Sequence, residues 1–228
     1  MILSANQPYF APFSGFFYKA YLSDLLVILD DVQFPQGTTW ISRNRFKSHQ
    51  GALWLTVPVW KKGLGLQKVR EVRICHEGRW AKKHLESLIT AYRKAPYLSE
   101  HLEFLEKIFS EKNETLLDLN LAVIDYLMKA LEIQTRVVLL SDLHVPSTGS
   151  RRLVDICKKL GAGQFIAQAP AKKFIDEKSF RDAGIELTYF TSRPPIYPQL
   201  WGDFIFNLSV FDLVLNCGPK AHDILVNS

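Results

Sequence analysis

Two adjacent carboxylates, Asp30 and Asp31, follow five apolar residues, Leu25-Leu26-Val27-Ile28-Leu29. An apolar run of this length reads as a buried strand. Open α/β sheets bind ligands beyond the carboxyl ends of their strands, so the pair stands where such a fold does chemistry. A carboxylate there can serve as a general base or hold a divalent cation. On an extended chain Asp31 and Gln33 share one side and Asp30 faces the other. The pair can equally cap a turn, because Asp is a common turn former.

Shortly after it comes Trp40-Ile41-Ser42-Arg43-Asn44-Arg45. If this stretch is extended, the guanidinium groups of Arg43 and Arg45 project to one side, and two such forks can hold a carboxylate or phosphate. Trp40 could then stack on a base or sugar ring. The plain alternative is a core Trp flanked by surface arginines. A second basic pair, Arg151-Arg152, falls at the expected start of a helix. Cations there oppose the helix dipole, which suggests a bound anion. His84 can be a proton carrier, although a lone helical His is more often packed or solvated. Ser, His and Asp also occur together between residues 141 and 150, but their spacing specifies no triad.

Charge is unevenly distributed. Residues 36–94 carry 13 Lys and Arg against three acids, a local excess of +10 in a chain of net charge +5. That segment, which includes Lys83 and Lys94, suits an anionic partner such as a phosphate, nucleotide or RNA, or is simply a solvated face. The 47% apolar and 22% charged residues are those of a soluble globular protein. No segment approaches a membrane span, and the start of the chain lacks the features of a secretory signal. Cys75, Cys157 and Cys217 lie far apart, with no metal-type spacing. Reduced, buried thiols in a cytoplasmic protein are expected. No metal ligand is singled out, and the sequence leaves open which cofactor is used and whether Asp30 or Asp31 holds a divalent metal.

The elements that must position these residues repeat one pattern. Residues 2–6 read as a strand. A loop with two prolines and a glycine follows, then a helix over 16–21 and the strand at 25–29, which is a βαβ unit. Strands are also expected at 52–59, 67–74, 135–140, 164–168 and 185–190. Helices are expected at 80–93, 98–110, 115–131, 171–183 and 207–215, with another ending at Leu160 before Gly161. Asn216, just before Gly218-Pro219, could bring backbone to a ligand or belong to a plain helix cap. Neither GxGxxG nor GxxxxGK[ST] is present. The expected fold is α/β, with a mostly parallel sheet of Rossmann-like or nucleotidyltransferase-like type. It forms a single domain over residues 1–228, with 36–132 as an inserted basic and helical subdomain.

Several motifs, in order along the whole chain, resemble the WbqC-like family, a bacterial-type family. They are Gln7-Pro8-Tyr9-Phe10, Asp30 to Phe34, Trp40 with Arg43-Asn44-Arg45, and Trp54 to Pro58. Further on are Lys83-His84, Lys94-Ala95-Pro96-Tyr97, Ser150 to Gly161, and Asn216 with Gly218-Pro219. The resemblance implies a transferase acting on a nucleotide-linked amino sugar, by acyl or aminoacyl transfer, in surface-polysaccharide or O-antigen biosynthesis. The front end is also similar to nucleotidyltransferases that carry a His-x-Gly-His motif. The matching stretch is Phe13-Ser14-Gly15-Phe16, with Phe in both His positions, which argues against adenylyl or cytidylyl transfer.

Taken together, the expected site joins Gln7, Asp30, Asp31, Gln33, the Arg43-Asn44-Arg45 loop and the Arg151-Arg152 helix start. Asp30 or Asp31 would act on a sugar amine and arginines would hold phosphate or carboxylate groups. An RNA-binding protein and a non-catalytic partner in polysaccharide assembly are the rival classes.

Overall fold

The structure, a computed structural model, describes residues 1–227. Seven strands are present: β1 (Ile2–Asn6), β2 (Leu25–Ile28), β3 (Arg43–Ser48), β4 (Gly51–Thr56), β5 (Arg136–Leu139), β6 (Gln164–Gln168) and β7 (Glu186–Phe190). The helices are α1 (Ser14–Tyr21), α2 (Trp80–Tyr92), α3 (Leu98–Ser110), α4 (Leu116–Ala130), α5 (Leu140–Leu143), α6 (Gly149–Leu160), α7 (Glu177–Asp182), α8 (Val210–Cys217) and α9 (Ala221–Val226).

Five strands form one sheet in the order β5-β2-β1-β6-β7, and every pairing is parallel. The fold is therefore α/β and Rossmann-like. All four residues of β2 are buried, as its uninterrupted apolar run requires. Leu25 and Val27 face a core closed by α6 and α7, where they meet Val154, Ile156 and Phe180. Leu26 and Ile28 face the opposite core with Phe16, Phe17 and Ala20 of α1. The hairpin β3–β4, the helices α2 to α4 and the helix α8 contribute to that same second core. The basic and helical stretch thus packs on one side of the sheet through a continuous apolar interior.

The strand order sets the site. The chain adds strands outward from β1 to β2 to β5, then α6 carries it back and β6 pairs with the other edge of β1. That reversal is a topological switch point. β1 and β6 are in register only at Ile2–Gln164 and Leu3–Phe165. Beyond those pairs the strands part, and a crevice opens between their carboxyl ends.

Several expected boundaries differ. The strand foreseen at 67–74 is a 3-10 turn at Val69–Glu71 joined by isolated bridges, because the Lys68 N–H is captured by the Glu71 carboxylate. The helix foreseen at 171–183 is broken. Ala169–Phe174 is a 3-10 segment, and α7 restarts after Asp176, whose side chain caps it. The break is held from outside: Ser150 Oγ donates to the Phe174 carbonyl and accepts from the Asp176 N–H. The last long helix begins at Val210 rather than 207, since Ser209 is its cap and Asn207 has φ +55°. Arg43 belongs to a strand and not to a loop, so Arg43 and Arg45 do share one face.

Candidate functional site

A cleft of about 490 Å³ occupies the crevice, within the usual range for small-molecule sites. β1 supplies Asn6 and, just past its end, Gln7 and Tyr9. β6 supplies Gln168, and α6 supplies Ser150 and Arg152 at its first turn. Leu29 and Val32, past β2, form part of the apolar wall.

The loop from Gln7 to Pro12 is held in place by two buried asparagines from distant elements. Asn44 of β3 donates to the carbonyls of Phe10 (3.1 Å) and Ala11 (2.7 Å). Asn120 of α4 donates to those of Pro8 and Ile41, both at 2.8 Å. These contacts fix Ala11 at φ +43°, a conformation that a non-glycine residue holds only when its surroundings impose it. On the other side Gly15 lies against the end of β6. A Cβ there would sit 2.9 Å from Gln168 Nε2 and 2.8 Å from the Phe13 ring. Both walls of the cleft are therefore set by close packing.

The floor holds a residue that the sequence patterns did not single out. Lys19, on α1, is 5% exposed and lines the cleft. Its ammonium nitrogen donates to the Ala5 carbonyl (2.8 Å) and to Asn6 Oδ1 (2.7 Å), and no carboxylate among the described residues pairs with it. Burial pushes its pKa down to about 7. One signal was available: Lys19 is the sole charge in an otherwise apolar and aromatic helix between two core strands. Tyr9 also borders the cleft, and burial raises its hydroxyl pKa. Phe174, 75% exposed, stands at its edge.

Of the residues expected from sequence, Gln7 and Arg152 line the cleft. Arg152 is anchored by its Nε–H, which donates to the Ser147 carbonyl at 2.6 Å, and the first turn of α6 contains no acid. Arg151 points away and pairs with Asp155. Asp31 is held by Lys68 at 2.9 Å and Arg70 at 2.7 Å. Burial would raise its pKa, but the Lys68 hydrogen bond and the charges of Arg70, Lys68 and Arg152 outweigh that and hold the carboxyl below its ordinary value. A carboxylate so paired is a weak proton acceptor near neutrality. Asp30 is buried, and its Oδ1 accepts from the Ser141 N–H in the first turn of α5. Gln33 bridges to Lys68 on the same edge.

The other candidates are placed elsewhere. His84 Nε2 donates to the Thr56 carbonyl, and its ring packs edge-on against Trp80 and Phe109. Burial lowers its pKa, with the Thr56 bond opposing. Trp40 and Trp54 stack at 5.6 Å. Arg43 lies 3.7 Å from the Trp54 centroid, and Arg45 reaches both rings while donating to the Phe206 and Asn207 carbonyls. Lys83 is exposed, Lys94 sits over the Trp201 ring, and Asn216 donates to the Asp212 carbonyl within α8. Asn44 has the structural task described above. Cys157 and Cys217 are buried, with their thiols pushed up to about 12 and about 11.

Among the described residues no His, Cys, Asp and Glu cluster could hold a metal ion, and no helix is long and apolar enough to cross a membrane. No solved structure matches the chain. The chain is similar to an uncharacterized protein, Rv1507c, of Mycobacterium tuberculosis (strain ATCC 25618 / H37Rv). The two are 33% identical over 222 residues, which cover 96% of this chain and 95% of that one. Over residues 7–224, which hold both walls of the cleft, the sequence matches the WbqC-like protein family, and the chain belongs to it.

Proposed function

We propose that the switch-point cleft binds a nucleotide-linked amino sugar and that the protein transfers an acyl or aminoacyl group to its amine. On this reading it works in the cytoplasm, in surface-polysaccharide or O-antigen biosynthesis. The observation that carries the binding half is the cleft itself. It lies where a Rossmann-like strand order receives nucleotides, and it meets the first turn of a twelve-residue helix with Arg152 beside it. The guanidinium and the helix start favour a phosphate. The Gln7, Asn6 and Gln168 amides suit sugar hydroxyls, and Phe174 offers a ring face. The transfer half comes from the family resemblance.

A thermal-shift panel of nucleotides, amino-sugar nucleotides and inorganic phosphate tests the binding half. A ligand at about 100 times its Kd adds about 2.7 kcal/mol, or roughly 5–10 °C for a chain of this size. In Arg152→Gln the affinity for the responding ligand is expected to fall roughly 10- to 100-fold, the worth of one charge-assisted contact. An unchanged affinity would remove Arg152 from the site.

One observation favours a second reading. Trp40 and Trp54 are 40% and 43% exposed beside Arg43 and Arg45, a surface on which single-stranded RNA could stack. A steep loss of RNA affinity with rising salt would support it. The absence of any RNA binding at low salt would end it.

A further inference from the structure

Resting on the transferase reading above, we propose that Lys19 is a catalytic residue: the base that takes the proton from the acceptor amine as its nitrogen attacks an acyl carbonyl.

The hydrogen-bond count at Lys19 is the starting point. A neutral lysine amine has two N–H donors and one lone pair, whereas an ammonium has three donors and none. Among the described residues two acceptors, the Ala5 carbonyl and Asn6 Oδ1, meet this nitrogen. The neutral amine is thus fully satisfied and keeps a lone pair on a residue that lines the cleft. The ammonium would hold a third N–H for which the described residues supply no acceptor.

Among the described residues the surroundings add no countercharge. β1 and β6, the strands packed against α1, carry no ionisable side chain. From α9 come His222, which packs on Tyr21 and bonds the Leu131 carbonyl, and Asp223. Across the cleft stands Arg152, a like charge. Asp31 is spent on Lys68 and Arg70, and Asp30, whose Oδ1 accepts from the Ser141 N–H while its Oδ2 is buried without a partner, does not line the cleft. Asp24 is at the opposite end of β1, where it accepts from the Ile2 N–H. Burial alone accounts for the downward displacement of the Lys19 pKa to about 7, the range in which a base works best at neutral pH. Neither of the carboxylates expected from sequence to play this part lines the cleft, whereas Lys19 does, with no ion pair among the described residues.

The step balances as follows. The acceptor nitrogen forms a bond to the carbonyl carbon of an activated ester or thioester, and its proton passes to Lys19 Nζ. The C–O or C–S bond breaks and its electron pair leaves with the oxygen or sulfur. The Lys19 ammonium then returns the proton to that leaving group or to water.

The test has two arms. In the first, Lys19 is followed by lysine side-chain NMR in the wild-type protein, with its signal identified by its loss in Lys19→Arg. A midpoint near 7 is expected, and a midpoint in the ordinary lysine range near 10 overturns the proposal. In the second, wild type, Lys19→Met and Lys19→Arg are assayed for acyl transfer from a thioester and from an aminoacyl ester to a panel of amino-sugar nucleotides. Both variants should lose at least about 100-fold in kcat, with acceptor affinity changed by no more than about threefold. The wild-type kcat should rise with pH through the NMR midpoint. Retained turnover in Lys19→Met overturns the role of Lys19 while leaving the transferase reading in place. A wild type that transfers no acyl group to any acceptor overturns that reading and the base with it. Should Lys19→Met fail to fold, the wild-type titration and pH profile still decide.

Discussion

Replacing Gly218 with alanine is expected to destabilise the protein by roughly 3–5 kcal/mol, the sum of a forbidden backbone and an overpacked contact. Gly218 closes α8 at φ +51° and ψ −125°, a conformation that L residues rarely adopt. A Cβ there would stand 2.4 Å from two carbons of the Tyr97 ring. The ring has little room to retreat, because the Tyr97 N–H donates to the Leu215 carbonyl and so ties the start of α3 to α8. At about 2–4 °C per kcal/mol for a chain of this size, the thermal midpoint should fall by roughly 10 °C. Thermal unfolding followed by circular dichroism measures it, and a midpoint within about 2 °C of wild type would mean that the added carbon is accommodated. Tyr97→Ala in the same background removes the clash but not the backbone strain, so the double variant should recover only part of the loss. The result would give two motifs of the family resemblance, Lys94-Ala95-Pro96-Tyr97 and Asn216 with Gly218-Pro219, a common structural cause.

That cause was invisible in the sequence, where the two motifs are more than a hundred residues apart. What the sequence did contain was local. The apolar run of β2, the stripes of α2 to α4 and the glycine stop at Gly161 (φ +70°) each follow from neighbours within one element. The two βαβ series were legible for the same reason, and with them the approximate position of the cleft, since Gln7 and Arg152 lie in its lining. The parts that could not be read depend on contacts across the chain. Ser150 breaks the 171–183 helix from more than twenty residues away, and Asn120 holds the Pro8 carbonyl over 112 residues. Asp31 looked available for chemistry because Lys68 and Arg70, its ion-pair partners, are nearly forty residues downstream. Lys19 is the converse case. A single lysine on a short helix reads as a surface residue until β1 and β6 pack against it.

A second buried lysine tests how the far side of the molecule is held together. Lys47 of β3 is 1% exposed, and its ammonium donates to Gln199 Oε1 (3.0 Å) and to the Asp203 carbonyl (2.7 Å). Gln199 in turn exchanges two bonds with the backbone of Ile205, so one side chain anchors a segment that has no regular secondary structure of its own. The Lys47 N–H donates to the Tyr92 hydroxyl, which donates to Asp212 Oδ1 at 2.8 Å. Asp212 is fully buried. Burial raises its pKa, while Tyr92, Tyr197 and the Lys47 charge pull the other way. Lys47→Met keeps the length and removes the charge. It leaves the Asp203 carbonyl without this donor and the Asp212 carboxylate without its compensating cation. A loss of about 2–4 kcal/mol is expected, from two charge-assisted hydrogen bonds removed and a buried carbonyl left without this donor. The sign of its pH dependence is fixed. A carboxyl whose pKa is raised on folding weakens the fold at pH values above its unfolded pKa. Losing Lys47 raises it further, so the penalty of Lys47→Met should be largest near neutrality and shrink as acid protonates Asp212. Asp212→Asn, which keeps an acceptor for Tyr92, should cost less in the Lys47→Met background than in wild type, with a coupling of roughly 1–3 kcal/mol. Denaturant unfolding of the four proteins gives that coupling, and limited proteolysis should cut Lys47→Met first between residues 199 and 205. Additive losses with no change in cleavage would mean that Lys47 and Asp212 are independent and that the segment is held by other contacts, such as the Trp201 Nε1–H bond to the Ala91 carbonyl.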